Sequence, residues 1–160
     1  MPTEPPRVYL DACVLLSFVN ETADRMPAIE QVLAESRQQK IELITSTMSV
    51  VEVACAAEEL AQKAIDEETE RKIDSLWTPG SVVKLVELHL AIGKLARSLM
   101  RAAIPFGLSL KPADAIHLAT AKYMGASRFH TYDGKLSRYA EATGLIIAEP
   151  APLQPQLPGT

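Results

Sequence analysis

The feature that most constrains the fold is an alternation. Short apolar runs rich in β-branched residues take turns with longer segments of helical spacing along the 160-residue chain. The strand-like runs are "RVYLDACV", "IELITS", "VVKLVEL", "RFHTYD" and "LIIA". Between them lie "VLLSFVN", which reads as a helix start, then "AIEQVLAESRQQK", with helical spacing at Ile29, Val32 and Leu33. The segment "MSVVEVACAAEELAQKAI" reads as strongly helical and "EETERKIDSLW" as a more polar helix, before "TPGS" breaks the chain. An amphipathic "LAIGKLARSLMRAA" ends before Pro105, a further helix runs from about Pro112 to Met124, and "KLSRYAEAT" is a helix closed by Gly144. Strands separated by helices of this length predict βαβ units and a parallel sheet of about five strands covered on both faces, an α/β class.

A chain of this length suggests one domain, large enough to bury a core without staples. Its 48% hydrophobic and 22% charged residues are an ordinary globular balance. No apolar run reaches the length of a membrane span, so no membrane partner is expected. The opening "MPTEPPRVYL" lacks a basic segment followed by a long apolar one, so no signal peptide is expected and a cytoplasmic location is the default. Seven of the eleven prolines fall near the two ends. The domain is therefore drawn at residues 7–149, with 1–6 and 150–160 as Pro-rich flexible termini. Cys13 and Cys55 both sit in apolar stretches and are expected to be buried free thiols. Neither they nor the three histidines show zinc-finger spacing.

In open parallel sheets, sites form outside the carboxyl ends of the strands. Four acids fall at such places. Asp11 ends the first strand and Asp133 the fourth. Glu52 lies one to two turns into the helix after the second strand, and Asp114 lies in the first turn of its helix, reached through "PFGLSLKP". Each has a local explanation. Asp11 could cap a helix, Ser49–Glu52 fits a capping box, Asp114 suits a helix dipole, and Asp133-Gly134 suits a turn or N-cap. Four at once are harder to attribute to independent accidents. Two carboxylates about 4 Å apart repel by roughly 4 kcal/mol at an effective dielectric near 20. A cluster therefore needs a cation, or some of its members take up protons. An all-oxygen site suits a hard cation, Mg²⁺ or Mn²⁺, and such ions serve phosphoryl chemistry.

The segments "YLDACVLLSF", "TMSVVEVACA", "LKPADAIHLATAKYMGA" and "FHTYDGKL" carry a family resemblance across most of residues 7–149. The chain resembles the PIN-domain ribonucleases, most closely the VapC-like toxins of toxin–antitoxin pairs. The third segment is the most specific, with its acid, following Ala, His three residues on, and Ala-Thr-Ala run. The resemblance implies a three-layer α/β/α sandwich and a divalent-metal-dependent endoribonuclease. Asp11, Glu52, Asp114 and Asp133 would form its acidic pocket, with Asp11 and Asp114 the firmest metal ligands. Glu52 would complete the shell or orient water, Asp133 would bind a second metal, and Thr131 matches a supporting hydroxyl. A cognate antitoxin would cover the pocket, and the toxin would be a homodimer. One departure stands out: the two positions after the first acid often carry Ser, Thr or Asn in the family, and here they are Ala12 and Cys13. That puts efficient catalysis, though no metal ligand, in question.

The net charge of −4 at first argues against a nucleic-acid partner. Setting the four site acids aside leaves 16 acidic residues against 16 basic ones, which is compatible with RNA. Lys94, Arg97 and Arg101 share one helix face and are candidates for tracking phosphates, or simply a solvated face. Lys111, Lys135 and Arg138 lie near the site in sequence. His117, one turn past Asp114, could be a general base or a hydrogen-bonded partner packed under the site. The acidic stretch around residues 58–70 reads as a solvated helix face. Two other functions compete. A haloacid-dehalogenase-type phosphatase needs a second Asp two residues after Asp11, where Cys13 stands. A catalytically weak PIN module could instead serve as an RNA- or protein-binding platform.

Overall fold

The computed structural model describes residues 3–153. Of the termini expected to be flexible, residues 1, 2 and 154–160 lie outside the described residues. Five strands form one sheet: β1 (Arg7–Leu10), β2 (Glu42–Ser46), β3 (Val83–Val86), β4 (Arg128–His130) and β5 (Ile146–Ala148). Their order is β3-β2-β1-β4-β5 and every pairing is parallel. The expected α/β architecture with a parallel five-stranded sheet is therefore the observed one.

Side chains alternate across the strands, and this builds the two outer layers. Val8, Leu10, Leu43 and Val83 face α1 (Ala12–Val19), α2 (Met26–Arg37) and α5 (Glu67–Ser75). Tyr9, Ile44 and Phe129 face α6 (Leu90–Ala103) and α7 (Pro112–Tyr123). Each face is sealed by a separate apolar cluster, giving a three-layer sandwich. Leu153 is held down at the far end of the chain, its N–H donating to the Glu35 carboxylate on α2 at 3.1 Å. No helix among the described residues is long and apolar enough to cross a membrane.

Three local expectations need correction. The single helix expected over residues 48–65 is broken into α3 (Met48–Glu52) and α4 (Ala57–Gln62). Val53 leaves helical geometry (φ −97, ψ 54) and is fully buried. A run with three β-branched valines propagates a helix poorly, and the core draws Val53 inward at the break. Glu52 consequently ends a five-residue helix rather than lying inside a long one. The last expected helix is a 3-10 segment, Gly134–Tyr139, followed by a four-residue α8 (Ala140–Thr143). Leu136 and Tyr139, both buried and three apart, share one face under 3-10 geometry. Gly144 does end it, at φ +71. Third, Glu59 is no solvated residue: it is buried and accepts from the N–H groups of Ala56 and Asp66, tying α4 to the start of α5.

The chain builds β1, β2 and β3 outward in one direction, then returns to place β4 and β5 on the other side of β1. The strand order therefore switches between β1 and β4, the place at the carboxyl edge where open parallel sheets form a crevice.

Candidate active site

Asp11 follows β1 directly and is buried at 6% exposure. Its backbone N–H pairs with His130 of β4 at 3.0 Å, fixing it at the switch point. One carboxylate oxygen caps α1 through the Ala12 N–H at 2.9 Å. The other accepts from the Thr131 hydroxyl at 2.8 Å and the Cys13 thiol at 3.4 Å. Capping and site geometry are thus one arrangement, since the bonds that satisfy the helix also fix where the charge points.

Thr131 carries the arrangement onward. Its hydroxyl oxygen accepts from the Asp133 N–H at 3.0 Å, and Asp133 caps the 3-10 segment through the Lys135 N–H. Asp133 itself is exposed at the crevice mouth. Cys13, expected to be a buried thiol, is only partly buried. Its sulfur touches Asp11 and Thr131 and accepts from the Tyr132 N–H at 3.3 Å. Burial, then the Asp11 charge, pushes its pKa up to about 11, so the thiol stays protonated and acts as a weak donor where a hydroxyl would otherwise stand.

Glu52 is reached from the other side. No capping box holds it, because the Ser49 hydroxyl is instead buried against Thr45 at 2.7 Å. Glu52 instead accepts from His117 Nε2 at 2.5 Å. His117 is buried at 1% exposure, with Nε2 also 3.8 Å from Asp11. Its Nδ1 meets the Tyr9 hydroxyl at 2.6 Å, and that hydroxyl accepts the Ser46 N–H at 3.0 Å. Burial alone would lower the imidazole's pKa. The Glu52 hydrogen bond and the charges of Asp11, Glu52 and Asp114 outweigh it, so the pKa is raised. Tyr9 is fully buried, and burial pushes its pKa far above the ordinary phenol value, so it keeps its proton.

Asp114, in the first turn of α7, is half-buried. Burial comes first in raising its pKa, followed by the charges of Asp11 and Asp133; Glu52 adds to this and His117 opposes it. The charges of Asp11, Glu52 and Asp133, named with it from the sequence, therefore all reach Asp114. Among the described residues, however, no three His, Cys, Asp or Glu side chains stand close enough together to hold a metal ion as they are. The donors fit a hard divalent cation in chemistry and in their need for positive charge. Their spacing is open.

The basic candidates divide by position. Arg97 and Arg101 border a surface groove with Ser109 and Leu110, just before α7 begins. Lys94 is exposed one turn earlier on the same face, and Lys111 is exposed at the N-cap of α7. Lys135 is exposed beside Asp133. Arg138 lies at a separate apolar groove with Leu99 and Tyr139. Sequence reading missed Tyr9. The one available signal was a tyrosine in an otherwise aliphatic buried strand, whose hydroxyl must find a partner.

The model of the PIN domain family matches residues 8–142. The chain belongs to the PIN domain family. Among solved structures it is similar to VapBC2 from Rickettsia felis bound to a DNA fragment from their promoter, with a TM-score of 0.65 and 13% identity over 88% of this chain and 96% of that one. VapBC-1 from nontypeable Haemophilus influenzae gives a TM-score of 0.62 and 16% identity over 89% and 97%. VapC20 of Mycobacterium tuberculosis, described as a sarcin-ricin loop cleaving toxin, gives 0.59 and 13% over 82% and 93%. At these identities the likeness is one of fold. None of the curated proteins matches the chain.

Proposed function

We propose that this PIN-domain protein is a divalent-metal-dependent endoribonuclease, the toxin of a toxin–antitoxin pair. The observation that carries the reading is the gathering of four acids at the strand switch point: His117 links Glu52 to Asp11, Thr131 links Asp11 to Asp133, and the charges of all three raise the pKa of Asp114. Anionic oxygens gathered in this way are stabilised by a hard cation, here Mg²⁺ or Mn²⁺. When bound, such an ion lowers the pKa of water and stabilises a leaving oxygen. Asp11 and Asp114 would hold it, with Glu52 completing the set and Asp133 serving a second ion at the mouth. Thr131 and Cys13 keep the Asp11 carboxylate turned toward the crevice. The reaction is hydrolysis: a water oxygen bonds to phosphorus as one phosphodiester P–O bond breaks. Arg97, Arg101, Lys94, Lys111 and Lys135 would contact RNA phosphates flanking the cleaved bond. Likeness to the VapBC assemblies supports an antitoxin partner; the same reading takes the toxin as a homodimer acting in the cytoplasm.

One observation favours a second reading, a binding platform with little catalysis: no chelating trio among the described residues. Incubating the purified protein with single-stranded and structured RNA, in Mg²⁺ or Mn²⁺ and then in EDTA, separates the two. Cleavage that stops with EDTA and returns with metal supports the nuclease. RNA retained but uncut under every condition supports the platform.

A further inference from the structure

We propose that Tyr9 and His117 are positioning residues that present Glu52 to the pocket through a hydrogen-bond chain from the Ser46 amide. The inference rests on the nuclease reading for its purpose, but its evidence is this unbroken run of short contacts through four elements. A backbone N–H can only donate, so the Ser46 amide occupies the Tyr9 oxygen at 3.0 Å. Tyr9 has one proton to give, and His117 Nδ1 lies at 2.6 Å. In the neutral ring, with Tyr9 donating its proton, Nδ1 accepts and the ring proton sits on Nε2, which donates to Glu52 Oε2. Each group is used once, from the end of β2 through β1 and α7 to α3, and no donor is left over.

This order has two consequences. Neither ring nitrogen of His117 is free for substrate, so His117 acts through Glu52 and not as a general base. And Oε2 of Glu52 is committed, leaving Oε1 for the crevice. The anchor is needed because α3 is only five residues long and its Val50 and Val51 are exposed, so little else holds the carboxylate. Metal-ligating groups elsewhere are oriented by such outer partners, whose loss costs about 10- to 100-fold in metal affinity.

The test is 15N-histidine NMR of the full chain at mildly alkaline pH, with His117 assigned by comparison with His117→Gln. The Nε2–H tautomer is expected. Tyr9→Phe should admit the Nδ1–H tautomer and weaken Mn²⁺ binding, measured by calorimetry without RNA, by about tenfold. His117→Gln, which retains an amide N–H toward Glu52, should bind Mn²⁺ more tightly than His117→Ala. An Nδ1–H tautomer of the neutral ring in the wild type would overturn the proposal. So would a folded Tyr9→Phe with unchanged tautomer and Mn²⁺ affinity. If Tyr9→Phe does not fold, the wild-type tautomer decides alone. A protein with the expected tautomer and Mn²⁺ response that cuts no RNA would sink the nuclease reading and uphold the chain.

Discussion

Asp114 sits where a helix dipole favours negative charge, yet its pKa is raised by burial and by its carboxylate neighbours. The unfavourable effects win, and this decides the sign of a stability test. A carboxyl whose folded-state pKa exceeds its unfolded value adds stability at low pH and loses it as pH rises through the folded value. Without metal, Asp114→Asn should therefore be more stable than wild type at neutral pH, by about 0.5 kcal/mol once solvent screening of a half-exposed group is allowed for. The advantage should shrink as pH falls toward the acid range, as calorimetric melting would show. A destabilised Asp114→Asn at neutral pH would make the dipole dominant. At this scale the sequence pointed to Asp11, Glu52, Asp114 and Asp133 together, because each alone has a local explanation but four near strand ends are hard to attribute to separate accidents. It was silent on Tyr9, whose role depends on three elements that meet only in the fold.

At the scale of elements, the strands and long helices were legible from periodicity, while α3 and the 3-10 segment were not. Both failures have one cause: tertiary burial of Val53, Leu136 and Tyr139 overrode local helical preference. Glu52 owes its place to that break, so the misread element is the one that carries a proposed site residue. β4 supplies a second test. His130 is buried at 2% exposure, and its Nδ1 has no hydrogen-bond partner among the described residues. Burial, and secondarily Arg128, lowers its pKa to about 4. The unfolded chain thus binds a proton that the folded one refuses, and stability falls as pH drops from the unfolded value of 6.5 to about 4. The loss attributable to His130 should reach roughly 3 kcal/mol. His130→Leu should remove most of it and cost nothing at neutral pH, since no buried nitrogen is then left unpaired. Chemical denaturation across that pH range would check both statements.

For the whole molecule, the order β3-β2-β1-β4-β5 explains why residues more than a hundred positions apart share one crevice. Asp11 and Thr131 are neighbours because β1 and β4 pair at the switch. The alternation of the sequence made the parallel sheet foreseeable; which strands pair was beyond it, since register and order are set by long-range packing. The surface follows from the same frame. With Arg97 and Arg101 beside the loop into α7, an Arg97→Ala/Arg101→Ala variant should bind single-stranded RNA more weakly, with kcat little changed. The slope of log K against log salt should fall by about 1.4. An unchanged slope would make these arginines a solvated face.

The proposed function requires the carboxylates to hold a cation for RNA hydrolysis. The most direct measurement is the initial rate of RNA cleavage against Mn²⁺ concentration, for wild type and Asp114→Asn side by side. A saturable rate is expected for wild type, and a loss of at least about 100-fold for the variant at every metal concentration. A variant that cleaves within a few-fold of wild type would contradict the proposed function.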